Sequence, residues 1–502
     1  MNRRYFAWVA VMLAAAALGS WAARLLAAHS LPPHGVQQNA FLTGMHMPIP
    51  VVQLASNWYV LLCVWLTVGV ISFAGSKMSA DLSDRPCALW GVLVGYAAVA
   101  VCLTFFSIFQ SIDLYYYALY GKLYGVYGVN PYALTSALQT NDRAILAALP
   151  LLHNPPFSDP YGPAFTLLAG ILGRLEAHRT LWFSVWSWRV TAVLSCALSL
   201  LGVNRILRVL PVNERAGRLA RFAFHPLVLY ESGIGGHNDW LMVAPCVWAF
   251  AVVDGMPLIA GLLVGLAIAF KYVAIFALPF LVLRAARKGL GGAGLLACLA
   301  LSVPYLCYRP FAERSLAVTS IAKVLSSMSM SLSGQLALPF FHAGKAQAPI
   351  SAILPPIPYF GMVTWPRLIQ LVFAAGFAAV LIASILRYRR RQSYAHVFAT
   401  TTALLWALPA LHAWYLTWLV PAVASTGRWA TYGWWFAALS LLAYAPEGVQ
   451  ATPLNSALFA IIAVAMPIAP LGFALRQTAG PRCAGERRRL ADTLRKTAER
   501  TA

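Results

Sequence analysis

The chain has 502 residues, of which 60% are hydrophobic and only 10% are charged, and its mean hydropathy is +0.69. Soluble domains carry about 25% charged residues, so this composition excludes a soluble globular protein and predicts a polytopic membrane protein. The net charge of +22 does not indicate nucleic-acid binding, because the arginines form short clusters between apolar runs and no basic soluble module accompanies them. This distribution is typical of the basic cytoplasmic loops of membrane proteins.

The eight cysteines are scattered singly, and most lie in or beside apolar runs. Cysteine behaves there as a small hydrophobic residue. Because no CxxC pair occurs, the sequence predicts neither a disulfide framework nor a zinc site. We therefore expect no metal and no other cofactor.

Apolar runs separated by basic clusters predict an all-α bundle of about 13 transmembrane helices over residues 1–480. Several apolar pieces between residues 222 and 283 are short for simple spans, which is tolerated where short helices line a protein-enclosed cavity. The parity of the spans predicts that a loop at 111–180 and a second region at 309–365 lie outside. Residues 481–502 are predicted to form a basic cytoplasmic tail.

The loop 111–180 begins with a carboxylate at the predicted membrane surface, since Asp113 follows the apolar run Leu89–Phe109. Asp113, Tyr117, Tyr120 and Tyr124 recur at helical spacing, so a helix here carries them on one face. Tyrosine has an apolar ring and a hydroxyl, which suits a membrane–water interface. We expect this loop, with its short interfacial helices, to cap an active site.

Asp113 and Lys271 are the two charged residues that suggest chemistry most directly. Asp113 is interpreted either as a general base towards a hydroxyl or as the N-cap of the helix that follows it. Lys271 lies within an apolar stretch, where a cation is costly unless it is paired or faces a water-filled cavity. It is interpreted either as the structural partner of Glu231 or Asp239, or as a phosphate ligand.

Two further polar groups lie at outward turns. His237, Asn238 and Asp239 form a dense cluster that could bind a sugar or phosphate, or cap the next helix. A metal is a weaker interpretation because a third spaced ligand is missing. The segment His412–Tyr415 fits either the site or an aromatic belt at the membrane surface.

Two acidic positions in the outer loop received non-catalytic interpretations. Asp159, followed by Tyr161, is expected to form a turn. Asp142 and Arg143 are interpreted as an exposed pair.

Several short motifs occur in a recognisable order along the chain. They are Asp113 with Tyr117 and Gly121, Gly128-Val129-Asn130-Pro131-Tyr132, Pro160-Tyr161-Gly162-Pro163, Gly236-His237-Asn238-Asp239, Lys271-Tyr272, and the run Trp414–Pro421. Together they resemble the bacterial polyprenol-phosphate-mannose-dependent mannosyltransferases of the GT-C superfamily of integral membrane glycosyltransferases. One departure is that Asp113 follows three candidate spans, where many GT-C enzymes have this residue after one.

The resemblance implies a GT-C fold in the bacterial inner membrane, with catalysis at the periplasmic or exterior face. It implies that Asp113 is the base that activates an acceptor hydroxyl of a glycan, lipid or protein. A polyprenyl-phosphate hexose, mannose by the resemblance, is the implied donor, and Lys271 or Asn238 stabilises the leaving phosphate. The substrate-binding candidates are Tyr117, Lys122, Asn130, Tyr132, Tyr161, His237, Asn238, Asp239, Lys271, His412, Trp414 and Tyr415.

The main alternative function is a transporter or flippase for a lipid-linked or anionic solute, and a second alternative is a non-catalytic subunit of an envelope polysaccharide assembly, in which Asp113 would be dispensable. A transporter also uses broken helices and a buried cation, but it concentrates its polar groups near the middle of the membrane. In this sequence Asp113, His237 and His412 are all predicted to lie at outer turns, which favours the transferase.

Overall fold

The computed structural model describes residues 3–30, 58–82, 88–106, 111, 113–133, 142–149, 152, 158–311, 333, 336, 365–408, 411–421, 424, 430–444, 461–462 and 464–470. Across these residues the chain is helical and contains no strand, which confirms the predicted all-α polytopic membrane protein. The predicted cytoplasmic tail, 481–502, and nearly all of the second outer region, 309–365, lie outside the described residues.

The described residues of the first half of the chain form eight helices. They are α1 (Arg3–Ser30), α2 (Trp58–Leu82), α3 (Ala88–Thr104), α4 (Asp113–Gly125), α5 (Arg143–Ala148), α6 (Pro163–Leu175), α7 (Leu181–Ile206) and α8 (Val212–Ala223). Short 3₁₀ turns follow at Pro131–Ala133 and Leu207–Val209.

The second half alternates helices with 3₁₀ or π turns. The helices are α9 (Pro226–Leu229), α10 (Asp239–Val252), α11 (Pro257–Phe270), α12 (Leu278–Ala286), α13 (Leu290–Tyr308), α14 (Trp365–Arg390), α15 (Tyr394–Ala407) and α16 (Ala430–Leu439). A π-helical turn at Tyr230–Gly235 extends α9, and 3₁₀ turns lie at Tyr272–Ala277, Arg309–Phe311, Ala413–Trp418 and Ser440–Ala443.

Among the described residues, five helices are long and apolar enough to cross a membrane. They cover Arg3–Ala23, Val60–Asp81, Leu181–Val209, Leu290–Phe311 and Leu368–Arg390. Shorter apolar helices include α10 and α11, in the region where the sequence predicts short spans. The total of about 13 spans remains a prediction.

Helix α4 begins at Asp113 and ends at Gly125, as the spacing predicts, but its tyrosines are not divided between a protein face and an interface. Tyr115, Tyr116, Tyr117 and Tyr120 are all at most 3% exposed. The reason is that α6 and α7 pack against the helix and cover it, so its aromatic side chains form protein core.

The contact between α4 and α6 is a close approach of two backbones through glycines. A methyl group on Gly125 would lie 2.0 Å from the carbonyl oxygen of Gly170, and one on Gly121 would lie 2.5 Å from that of Ala169. Small residues at such spacing allow helices to approach closely within a membrane protein. This contact sets the position of the helix whose first residue is Asp113.

The chain breaks its helical pattern twice in the short-helix region, and each break carries polar residues. The first break, between the π turn and α10, contains His237 and Asn238. The second follows α11, where Lys271 adopts an extended conformation before the 3₁₀ turn. Non-helical backbone in a membrane protein is tolerated where protein surrounds it, so both breaks direct attention to one polar centre.

Candidate active site

Asp113 lies at the start of α4 and is half-buried. Its amide N–H donates to Ser111 Oγ at 3.2 Å, while its carboxylate Oδ2 accepts a hydrogen bond from the Tyr161 hydroxyl at 3.2 Å. The positive end of the α4 dipole favours a negative charge at this position. Among the described residues, the Tyr161 hydroxyl is the one hydrogen-bond donor to this carboxylate, which leaves it room to contact a substrate hydroxyl.

Tyr161 is held in place by a turn built around Asp159. Asp159 Oδ1 accepts from the Tyr161 amide at 2.8 Å, Oδ2 accepts from Thr166 Oγ1 at 2.8 Å, and the Tyr132 hydroxyl donates to the Tyr161 carbonyl at 2.9 Å. Burial raises the pKa of Asp159 to about 7, against the opposing effect of the two hydrogen bonds. The turn chemistry expected of Asp159 is present, and its purpose is to position Tyr161.

The same turn docks on the end of α11 through Gly162. The Gly162 amide donates to the Phe270 carbonyl at 3.1 Å. A methyl group on Gly162 would lie 2.2 Å from the carbonyl oxygen of Ala269, so only glycine allows this approach. Because Lys271 is the next residue after Phe270, the contact joins the outer loop to the predicted phosphate ligand.

Lys271 forms a buried ion pair with Asp239, with 2.7 Å between Nζ and Oδ2. The ammonium also lies over three aromatic rings, at 5.7 Å from Tyr161, 5.2 Å from Tyr415 and 6.0 Å from Trp418. Such contacts stabilise a cation through the negative face of each ring. Of the two partners that the sequence left open for Lys271, the structure selects Asp239.

Asp239 has a second partner, since the indole Nε1 of Trp418 donates to its Oδ1 at 2.6 Å. The other sequence candidate, Glu231, instead contacts Nδ1 of His237. The His237 ring stacks on Trp414 with 4.1 Å between centroids, and His412 stacks on Trp414 at 4.4 Å. Trp414 therefore supports two imidazole rings and is buried, which differs from the exposed aromatic belt considered for it.

Asn238 connects this cluster to α4, because its backbone N–H donates to the Tyr117 hydroxyl at 3.4 Å. Its side-chain oxygen and nitrogen, and Nε2 of His237, are buried and have no hydrogen-bond partner among the described residues. Buried polar atoms are satisfied in nearly all proteins, so three such atoms in one turn indicate a place where a polar ligand binds.

Most of the predicted site residues meet in one contact network. It joins Asp113, Tyr117, Tyr161, His237, Asn238, Asp239, Lys271, His412, Trp414 and Tyr415. This network draws on α4, the outer loop, both helix breaks and the 3₁₀ turn Ala413–Trp418 with the preceding His412.

The three other candidates, Lys122, Asn130 and Tyr132, lie elsewhere in the loop. Lys122 is buried and pairs with Asp142 at 3.2 Å, and it also donates to the Ala177 carbonyl at 3.1 Å. Asn130 Oδ1 accepts from the Tyr132 amide at 3.0 Å, which closes the predicted turn. The interpretation of Asp142 as an exposed residue is wrong, because its side chain is only 8% exposed and accepts the Lys122 ion pair.

Sequence reasoning missed four residues that complete or support the network. They are Trp418, Tyr444, Glu231 in its role beside His237, and Arg189. Arg189 is fully buried and donates to the Thr104 carbonyl at 3.0 Å and to that of Phe106, which holds the end of α3 just before Asp113. The available signal was a single charge within an apolar run, and it applied to both Arg189 and Glu231.

The site is built from short broken helices around the Asp113 carboxylate, the Lys271 ammonium and the Asn238 side chain, which has no hydrogen-bond partner among the described residues. This combination is typical of an integral membrane protein that handles a polar or anionic substrate. The family model MptA_B, described as alpha-(1->6)-mannopyranosyltransferase, N-terminal domain, matches residues 7–287. The chain belongs to this family and is a membrane glycosyltransferase of the mannosyltransferase type. No curated protein and no solved structure matches the chain.

The matched region contains Asp113, the cluster His237–Asp239 and Lys271, while Trp414 and Trp418 lie beyond it. Membership in a transferase family removes the support for the transporter or flippase alternative. A mannosyl donor, an acceptor and membrane lipid are the partners that follow from the family.

Proposed function

We propose that the protein transfers mannose from a polyprenyl-phosphate donor to a cell-envelope hydroxyl, at the non-cytoplasmic face of the bacterial inner membrane. Asp113 is the general base, and the fold is of the GT-C type. The observation that carries this proposal is the position of Tyr161 between two charges. Its hydroxyl contacts Asp113 at 3.2 Å, and its ring lies 5.7 Å from the Lys271 ammonium.

This arrangement supports a single displacement at the anomeric carbon. Asp113 takes the proton of the acceptor hydroxyl, the new bond forms from that oxygen to C1, and the C1–phosphate bond breaks with its electron pair on the phosphate. A single displacement inverts the anomeric configuration. Since the family description names an α-(1→6) product, the donor that fits this mechanism carries a β-linked mannosyl group.

The leaving phosphate gains negative charge as the bond breaks, and groups preorganised around that charge lower the barrier. Lys271 supplies a cation, and Asn238 supplies a buried amide whose Nδ2 has no partner among the described residues. One base is sufficient, because a phosphate leaving group needs little protonation. The sequence has no glycine-rich phosphate loop of the nucleotide-binding kind, which agrees with a lipid-linked donor.

An apolar cavity beside the site supports a lipid donor. It has a volume of about 110 Å³ and is lined by Trp418, Val243, Phe250, Val273 and Phe280, among others. Trp418 bonds Asp239 at the start of α10, while Phe250 lies near the end of that helix. Of the residues that line the cavity on α10, Met242 is the first and Phe250 the last, a separation of roughly 12 Å at 1.5 Å per residue, so the cavity offers part of an isoprenoid chain a place beside α10, away from the sugar phosphate.

The test is a transfer assay with purified protein in lipid, polyprenyl-phosphate-[³H]mannose and an envelope acceptor extract. Asp113→Asn should reduce transfer by at least about 100-fold, the usual contribution of a general base. Asp254→Asn is the matched control, because Asp254 pairs with Arg284 outside the site; it should transfer at nearly the wild-type rate. Equal transfer by wild type and Asp113→Asn would remove Asp113 from the mechanism.

A further inference from the structure

Glu231 is a fully buried carboxylate that the proposed mechanism leaves without a role. Both of its oxygens are engaged. Oε2 contacts His237 Nδ1, and Oε1 accepts a hydrogen bond from the Tyr444 hydroxyl at 2.6 Å. A buried carboxylate is costly unless its charge is compensated. Of its two partners, only His237 can carry a positive charge, so His237 is the group that would compensate Glu231.

The backbone around Glu231 brings the two side chains together. The π-helical turn Tyr230–Gly235 ends at Gly236, whose φ is +66°. The amides of Gly236 and His237 both donate to the Glu231 carbonyl, at 3.0 and 3.3 Å. π turns are rare and are frequently found at functional sites, and here the turn reverses the chain so that His237 returns onto Glu231.

His237 is held on two sides and has one nitrogen left for another partner. Glu231 contacts Nδ1, and Trp414 stacks on the ring at 4.1 Å with an interplanar angle of 14°. Nε2 is buried without a hydrogen-bond partner among the described residues. Two residues further on, Asp239 pairs with Lys271, so this ion pair has no net charge, and a second cation would add to the attraction that Lys271 exerts on a phosphate.

We propose that Glu231 is a positioning residue that holds His237 as an imidazolium, with Nε2–H donating to an oxygen of the departing lipid phosphate. Tyr444 fixes the carboxylate and Trp414 fixes the ring. This inference rests on the proposed function, because it assigns a second cation to the leaving phosphate. The proton stays on His237, and only the hydrogen bond strengthens as negative charge builds on the phosphate.

The charges that face His237 favour the protonated ring. Burial lowers the pKa of His237. The charge and hydrogen bond of Glu231, together with the charges of Asp113 and Asp239, raise this pKa by more than burial lowers it, so its net direction is upward. A carboxylate at Nδ1 also fixes which nitrogen remains free for the ligand. The imidazolium therefore persists to a higher pH than that of an exposed histidine.

The test is the pH dependence of transfer by Glu231→Gln. In the wild type, deprotonation of His237 should set the alkaline limb of the kcat profile. Loss of the carboxylate lowers the pKa of His237, so the alkaline limb should move down by about one pH unit. The variant should lose roughly tenfold in kcat at about pH 8 and recover most of that loss at about pH 6.

Glu176→Gln is the matched control, because Glu176 is a buried glutamate that accepts a hydrogen bond from Ser187 outside the site. Its profile should keep the wild-type alkaline limb. A loss in Glu231→Gln that is equal at all pH values would show a structural role and overturn the proposal. Should Glu231→Gln fail to fold, Trp414→Leu removes the ring that stacks on the imidazolium and should shift the same limb downward.

A double-mutant cycle separates action through His237 from any other role. In a His237→Gln background, Glu231→Gln should have little further effect on kcat, since partners in one network are not additive. Additive losses would contradict the proposal. Binding of polyprenyl phosphate without its sugar provides a measure that does not depend on activity. If the wild type neither transfers mannose nor binds polyprenyl phosphate, the proposed donor is rejected. If the wild type transfers mannose and binds polyprenyl phosphate, but Glu231→Gln keeps the wild-type alkaline limb, only the present inference is rejected.

Discussion

At the residue scale, the two carboxylates that face the candidate site have different surroundings. Asp113 is half-buried and its carboxylate accepts one hydrogen bond, from Tyr161 at 3.2 Å. Asp239 is fully buried and is held by Lys271 at 2.7 Å and by Trp418 at 2.6 Å. This difference agrees with the proposal that Asp113 is the base, because both oxygens of Asp239 already have a partner in Lys271 and Trp418.

The pair of Lys271 and Asp239 predicts a difference between stability and activity. Lys271→Met leaves a buried carboxylate without its cation, which costs about 3–5 kcal/mol in the free energy of unfolding. The double variant Lys271→Met with Asp239→Asn removes both charges and should recover most of that loss, measured by thermal unfolding in detergent. Transfer should stay low in the double variant, because the leaving phosphate has lost its cation.

The outcome that would contradict this assignment is recovery of transfer together with stability. Lys271 would then be a structural ion-pair partner only, which is one of the two interpretations that the sequence leaves open.

At the scale of elements, the site depends on close contacts that only glycine permits. Gly162 lies against the carbonyl groups of Ala269 and Phe270 at the end of α11, and the glycines of α4 and α6 bring these two helices together. Both contacts fix the elements that carry Tyr161, Asp113 and Lys271 with respect to one another. Catalysis is sensitive to displacements of about 1 Å in such a constellation.

Gly162→Ala is therefore expected to reduce transfer strongly. The added methyl group cannot be accommodated against two backbone oxygens, so the turn must move away from α11, at a cost of about 1–3 kcal/mol for overpacking. We expect at least a tenfold loss of kcat, with the protein still inserted in the membrane. The control is Gly69→Ala in α2, where nothing lies within 4 Å of the new methyl group and the helix should gain stability slightly.

At the scale of the whole molecule, the site joins residues from the N-terminal half of the chain with residues from its C-terminal half. The family match ends at residue 287, yet Trp414, Trp418 and Tyr444 contact His237, Asp239 and Glu231 respectively. The C-terminal helices thus complete a polar centre whose charged groups all lie within the matched region. An isolated fragment that stops at residue 287 would lack the aromatic rings that hold His237 and the ion pair.

The proposed orientation in the membrane predicts a difference in labelling between two exposed positions. In a cysteine-free background, His178→Cys, which lies between α6 and α7 on the side of the outer loop, should react with a membrane-impermeant maleimide in intact cells. Lys288→Cys, between α12 and α13, should react only after the membrane is opened. Both side chains are exposed, so access to the reagent decides the result, and the reverse pattern would overturn the outer-face assignment.

The sequence alone determined the class of the molecule and the composition of its candidate site. Low charge and high hydropathy require a membrane protein, helical spacing after Asp113 predicts α4, and charges such as Lys271 in apolar runs indicate function because they are costly there. These inferences need no contact information, since each follows from composition or from local spacing. The turn at Asp159 is equally local, because its side chain bonds an amide two residues away.

Only the tertiary structure decided which of these residues work together. Tyrosines at helical spacing suggest an interface, but α6 and α7 cover α4 and make them core. Lys271 had two possible partners, and Asp239 rather than Glu231 lies beside it. Lys122 pairs with Asp142, a contact that the sequence did not predict. The pairing of Glu231 with His237 and Tyr444 joins residues more than two hundred positions apart, and such contacts depend on how helices pack, which no local pattern encodes.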